Sequence, residues 1–141
     1  MNKLILQKIQ GELKAPKNQK NKFGGYSYRS AEDILEAAKP LLNKHGATLT
    51  ISDEVEEIGG RVYVKAIASL WESESGEAVA GVQAFARESE NKKGMDDAQI
   101  TGSASSYARK YALNGLFCID DTKDPDATND HGKNKSEDLD F

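Results

Sequence analysis

The stretch from Asp96 to Ile119 constrains the fold of this chain more than any other. Ile100, Ala104, Tyr107 and Tyr111 recur at i, i+4, i+7 and i+11, the spacing of one narrow apolar stripe on an α-helix. Asp96 and Asp97 stand where a helix start favours negative charge, as cap and as complement to the backbone dipole. On another side, Gly102, Ser106 and Arg109 align at i, i+4 and i+7, with Lys110 beside them. Two readings of that face stay open. It is either a close packing surface with a solvated basic pair, or a surface that lets a phosphate approach and then neutralises it. Asn114 and Gly115 are poor helix formers and predict an early end to the helix. Cys118, the only cysteine, lies in an apolar run and reads as a small buried hydrophobe that forms no intrachain disulfide.

Upstream, residues 2–13 predict an amphipathic helix with Leu4, Ile5, Ile9 and Leu13 apolar. Lys14 to Gly25 reads as a loop, since Pro16, Asn18, Asn21 and Gly24-Gly25 all interrupt regular structure. The loop carries Lys14, Lys17, Lys20 and Lys22 with no acid between them, and Phe23, Tyr26, Tyr28 and Arg29 follow. Either it is a solvated loop with core aromatics, or it tracks phosphates while the rings of Phe23, Tyr26 and Tyr28 stack on bases. Ser30 to Lys44 is a helix with capping-box spacing at Ser30 and Asp33 and an apolar face of Ile34, Ala37, Leu41 and Leu42. Pro40 is expected to kink it or split off its last turn, and Gly46 to close it.

Three alternating segments come next. In Ala47 to Val55, the residues Ala47, Leu49, Ile51 and Val55 share a face. In Arg61 to Trp71, the residues Val62, Val64, Ala66, Ala68 and Leu70 point one way, and Arg61, Tyr63, Lys65 and Trp71 the other. In Glu77 to Arg87, the residues Ala78, Ala80, Val82, Ala84 and Ala86 form one side, and Val79, Phe85 and Arg87 the other. Gly59-Gly60 supplies a hairpin turn. The result is a three-stranded antiparallel meander whose alanine-rich side predicts very close helix packing. Its open edges favour oligomerisation. Glu88 to Gly94, with Lys92 and Lys93, is a basic connection into the last helix.

Charge is divided along the chain. The total is −4. Residues 120–141 hold eight acidic and three basic side chains, a net of −5, which leaves +1 for residues 1–119. Residues 1–29 contain seven Lys or Arg against Glu12 alone. This is the footprint of an anion-binding face followed by an acidic tail, so residues 1–119 read as a core and 120–141 as a disordered segment. The tail tip Asp138-Leu139-Asp140-Phe141 is either ordinary solvated chain or a partner-docking peptide. It resembles the acidic, Phe-ended tip of bacterial single-stranded-DNA-binding proteins. No apolar run approaches the length of a membrane span and the start lacks a secretion segment, so a cytoplasmic setting is expected.

Catalysis is not expected. His45 and His131 are the only histidines. The carboxylates Asp120, Asp121, Asp124 and Asp126 cluster around Pro125 but lack the glycine and closing glutamate of a calcium loop. No phosphate loop of the nucleotide-hydrolase kind is present. Neither a metal nor a cofactor is implied.

Gly102-Ser103-Ala104-Ser105-Ser106-Tyr107-Ala108-Arg109-Lys110-Tyr111-Ala112-Leu113, then Gly115-Leu116-Phe117 and the acids from Asp120, resemble the signature of the essential recombination function (ERF) family of phage single-strand annealing proteins. Tyr26-Ser27-Tyr28 and Ala31-Glu32-Asp33-Ile34-Leu35 resemble the family's opening block, so the resemblance covers roughly residues 1–126. Lys110 departs from the arginine of many members, which keeps the charge and loses the bidentate fork.

The resemblance implies an α+β fold, with a long helix packed across the three-stranded meander as in ring-forming annealers, and flanking N-terminal helices. It implies sequence-independent binding of single-stranded DNA by a homo-oligomer, ring or helical filament, and ATP-independent annealing to a duplex. By the same resemblance Arg109 and Lys110 are the inner-groove cations. Lys14, Lys17, Lys20, Lys22 and Arg29 line the rim, and Arg61 and Lys65 form the opposite wall. An alternative is a coat or adaptor protein that recruits a host single-stranded-DNA-binding or replication factor through its tail.

Overall fold

The computed structural model describes residues 3–90 and 94–119. Its elements run α1 (Leu4–Glu12), β1 (Gln19–Lys20), β2 (Ser27–Tyr28), α2 (Ala31–His45), β3 (Ala47–Ile58), β4 (Arg61–Glu72), β5 (Ala78–Arg87) and α3 (Asp97–Phe117). The fold is α+β: an antiparallel sheet in the order β3-β4-β5 carries α3 across one face, and a separate two-stranded ribbon, β1-β2, precedes α2.

The β3–β4 hairpin pairs without interruption from Ala47↔Glu72 to Ile58↔Arg61. Gly59 and Gly60 both take positive φ, 59° and 79°, the turn whose twist matches paired strands. Alternation then sorts the side chains. Val64, Ala66, Ala68 and Leu70 of β4 are buried under α3, while the odd-numbered residues between them face the other way.

β5 departs from the expected parity at one end. Its register with β4 shifts at Leu70/Trp71, so that Trp71 pairs with Ala78 and Leu70 with Ala80. The extra residue, Val79, turns into the core while Ala78 is exposed. A bulge inserts one residue and inverts the alternation beyond it, and burying valine instead of alanine gains apolar area. From Ala80 onward the expected side holds, and Ala80, Val82, Ala84 and Ala86 pack against the core.

α3 starts at a capping box in which the Asp96 carboxylate accepts from the Gln99 N–H and the Gln99 side chain accepts from the Asp96 N–H, both at 2.9 Å. Its buried face is Ile100, Ala104, Ala108 and Ala112, then Leu113, Leu116 and Phe117. The expected stripe is therefore corrected beyond Ala104, because Tyr107 and Tyr111 are about half exposed. Alanine on the helix facing alanine on the sheet lets the two surfaces close together, and a tyrosine ring would not fit between them. The helix also does not stop at Asn114-Gly115. A Cβ on Gly115 would lie 3.0 Å from Val82 Cγ1, so glycine is what allows the last turn to lie on β5, and packing overrides propensity. Cys118 ends the helix in the left-handed conformation (φ 54°) and is exposed, contrary to its reading as a buried residue, because the cap position points away from the core.

α2 keeps the predicted capping box at Ser30 and Asp33 and ends at left-handed Gly46. Pro40 lies on its exposed side and does not split off the last turn. α1 docks through fully buried Ile9. The Lys3 ammonium donates to the Val79 carbonyl and the Gln10 amide to the Leu116 carbonyl, both at 2.9 Å. Glu12 holds Lys44 at 3.1 Å and His45 at 3.2 Å. Those hydrogen bonds, Lys44 first, keep its carboxyl below the usual glutamate range. Among the described residues, no strand pairs with the outer edge of β3 or of β5.

Candidate nucleic-acid interface

The segment expected to be a loop contains the β1-β2 ribbon, in which Gln19 pairs with Tyr28 and Lys20 with Ser27. Three side-chain hydrogen bonds hold it in place. Buried Arg29 donates from Nε to the Ala15 carbonyl at 2.6 Å and ties the base of the segment together. The Gln19 amide donates to both oxygens of Asp33, at 3.2 and 3.4 Å. The capping hydrogen bond from the Ser30 N–H, followed by that Gln19 contact, holds the Asp33 carboxyl below its ordinary range.

This anchorage brings Tyr28 to α3. The Lys110 ammonium stands 5.4 Å from the centroid of the Tyr28 ring, a cation–π distance. Tyr26 meets Tyr28 edge-on, with ring centroids 6.3 Å apart. Tyr28, Ser30, Ser103, Ser106, Tyr107 and Lys110 line a cleft of about 240 Å³ between the start of α2 and the middle of α3. Tyr107 stacks on Tyr111 along the outside of the helix, interplanar angle 25°. Gly102 and Ser106 leave that side of α3 low and open. The arrangement can hold an anionic group at Lys110 and flat groups on the neighbouring rings.

Arg109 and Lys110 face different ways, as consecutive helix residues must. Arg109 turns to the sheet, where Nε lies 3.2 Å from Asp53 Oδ1 and Nη2 lies 3.3 Å from Asp53 Oδ2. The Ser105 hydroxyl donates to the same carboxylate at 2.6 Å. Reasoning from the sequence missed Asp53. The signal was present: it is an acid at the inward parity of β3, between Ile51 and Val55.

The remaining candidates are more dispersed. Arg29 lines the cleft wall through a buried side chain. Lys14, Lys20 and Lys22 are exposed along the ribbon and its approach, and Lys17 is half-buried. Arg61 and Lys65 are not brought to the cleft. Lys65 sits on the sheet face opposite α3, 2.9 Å from Glu56 and 3.2 Å from Glu54, and those carboxylates, Glu56 first, raise its pKa. It also lies 5.9 Å from the Phe85 ring centroid. Arg61 Nε is 3.5 Å from Glu90. Lys92, Lys93, Asp138, Leu139, Asp140 and Phe141 lie outside the described residues. Among the described residues, no group of three or more His, Cys, Asp or Glu could hold a metal ion, and no helix is long and apolar enough to cross a membrane.

Comparison with known proteins adds two findings. The family model of the ERF superfamily matches residues 5–139. The chain is also 60% identical over 126 residues to the essential recombination function protein of Salmonella phage P22. That alignment covers 89% of this chain and 58% of the phage protein, so the chain spans a little over half the length of that relative.

Proposed function

The chain belongs to the ERF superfamily, and from that footing we propose that it is a phage-type recombination protein that binds single-stranded DNA without sequence specificity. On this reading it acts as a homo-oligomer in the cytoplasm of a bacterial host and promotes annealing of complementary strands without ATP. Annealing makes and breaks no covalent bond. It needs a surface that holds a strand by its backbone, leaves the bases free to pair, and releases the duplex.

The observation that carries the reading is the cleft at Lys110. Lys110 of α3 stands over the Tyr28 ring in a cleft between the start of α2 and the middle of α3, beside the small side chains of Ser103 and Ser106. Phosphate contacts of this kind are blind to sequence and strongly salt-dependent. The exposed lysines Lys14, Lys20 and Lys22 extend positive charge along the ribbon. One subunit offers few such contacts, so affinity grows by repetition along a strand. The unpaired edges of β3 and β5 suit assembly of subunits side by side. Residues 1–119 form the binding core on this view, and the acidic segment 120–141 competes with DNA for its cations.

The test is annealing of two complementary fluorescent oligonucleotides by the wild type and by Arg109→Ala/Lys110→Ala, with particle size followed in the same samples. Fast pairing by a large assembly, lost in the variant without loss of assembly, supports the reading. Each lost phosphate contact also lowers the salt slope of binding by about 0.7 on single strands. A wild type that binds single strands and pairs them no faster than buffer would refute annealing.

A further inference from the structure

Phe23 stands fully in water at the tip of the β1-β2 ribbon, more exposed than any other large apolar side chain among the described residues. Burial of a phenylalanine ring is among the larger gains open to a folding chain, and this one is withheld. The turn that presents it is tightly built. The Asn21 side-chain oxygen accepts from the N–H groups of Phe23 and Gly24, both at 2.8 Å, and its amide donates to the Tyr26 hydroxyl at 2.9 Å. The Asn21 N–H donates to the Tyr26 carbonyl at 2.9 Å, and the Gly25 N–H to the Asn21 carbonyl at 2.8 Å. The Tyr26 ring lies so close over Gly24 that a Cβ there would come within 2.4 Å of it. Phe23 is thus aimed outward by hydrogen bonds rather than left over from a loose loop.

Its surroundings are chemically selective. Between Glu12 and Glu32 the chain carries Lys14, Lys17, Lys20, Lys22 and Arg29 and no acid. Exposed Lys20 and Lys22 flank the tip. Behind it, Tyr26 and Tyr28 lead ring to ring toward Lys110 in the cleft. A polyanion with accessible flat faces satisfies both the charge and the ring, and a single nucleic-acid strand is such a ligand. A duplex supplies the charge, but its base faces are covered by stacking and pairing.

We infer that Phe23 is a stacking post for an unpaired nucleobase, which makes this surface prefer single strands to the duplex. The inference rests on the single-strand reading above and extends it. A base on Phe23 leaves the post when its strand pairs, so the contact favours capture of the substrate and not retention of the product.

The test uses the full chain and three fluorescent probes: an oligo-dT, the same strand carrying abasic sites, and a duplex. Phe23→Ala is expected to weaken oligo-dT binding by about 5- to 150-fold for one lost base stack, with an unchanged salt slope. It leaves the abasic strand and the duplex bound as before. Phe23→Trp retains affinity, and its fluorescence is quenched by oligo-dT. Equal oligo-dT affinity in Phe23→Ala and wild type overturns the inference, as does an equal loss for all three probes. A smaller particle size for Phe23→Ala without DNA also overturns it and makes the tip a contact between subunits. If the wild type fails to bind oligo-dT at all, the single-strand reading itself falls, a result distinct from the others.

Discussion

Asp53→Asn separates two roles that the Arg109 contact allows. The substitution keeps the shape of the side chain and an acceptor for the Ser105 hydroxyl, and removes the charge facing Arg109 at 3.2 and 3.3 Å. The Arg109 and Asp53 side chains are 39% and 26% exposed, so water screens the pair and its worth is about 0.2–1 kcal/mol. Stability should therefore fall by no more than about 1 kcal/mol, a Tm decrease of no more than about 4 °C. DNA binding should move the other way. If phosphate must displace Asp53 to reach Arg109, the variant is spared that exchange, and its affinity for oligo-dT rises by about 1.4- to 5-fold. The salt slope steepens by about 0.7 where Arg109 becomes a full phosphate ligand. Fluorescence anisotropy between about 50 and 200 mM salt reads both quantities. Weaker binding by Asp53→Asn at unchanged Tm refutes the competition argument and makes Asp53 a residue that positions Arg109. A gain that persists when Arg109→Ala is added shows that the effect does not pass through Arg109.

Three further outcomes follow from the packing and capping. Gly115→Val drives a branched side chain against Val82, 3.0 Å from the position of its Cβ, and should cost about 1–3 kcal/mol in chemical denaturation. Gly115→Ala in a Val82→Ala background should instead recover up to about 1 kcal/mol of helix propensity relative to Val82→Ala alone, and absence of any recovery would show that Val82 is not the obstacle. Asp33 has a folded pKa below its ordinary 3.8, so its stabilising effect is complete above that value and is lost as pH falls through the folded pKa. Asp33→Asn keeps an acceptor for the Ser30 N–H and removes the charge at the helix start, so it should be less stable than wild type at neutral pH by about 0.3–1 kcal/mol. The difference should close in acid, and a gap that stays undiminished as pH falls through the acid unfolding range would contradict the assignment.

Local chemistry is what the sequence determined by itself. A capping box is a matter of three-residue spacing, so Ser30 and Asp33 were legible as the start of α2. Gly59-Gly60 was legible as a turn for the same reason, since both residues need positive φ and little else supplies it. Strand alternation placed Val62, Val64, Ala66, Ala68 and Leu70 on one face, buried except at Val62, and the alanines of β5 announced a close helix. The charge division between residues 1–119 and 120–141, and the lysines of the ribbon, need no coordinates.

Everything that depended on a partner distant along the chain was decided by tertiary structure. The bulge at Val79 comes from pairing with Leu70 and Trp71, and it reversed an alternation that looked regular in one dimension. Tyr107 and Tyr111 fit a helical stripe as well as Ala108 and Ala112 do, and only the approach of the sheet selects the smaller pair. Gly115 is a helix breaker until Val82 is beneath it. Arg109 and Lys110 look like one basic pair until Asp53, more than fifty residues away, claims the first and Tyr28 receives the second. Periodicity records which side chains share a face of one element, whereas contact across elements depends on strand register and on the distance of closest approach. Those quantities exist only once the chain has folded.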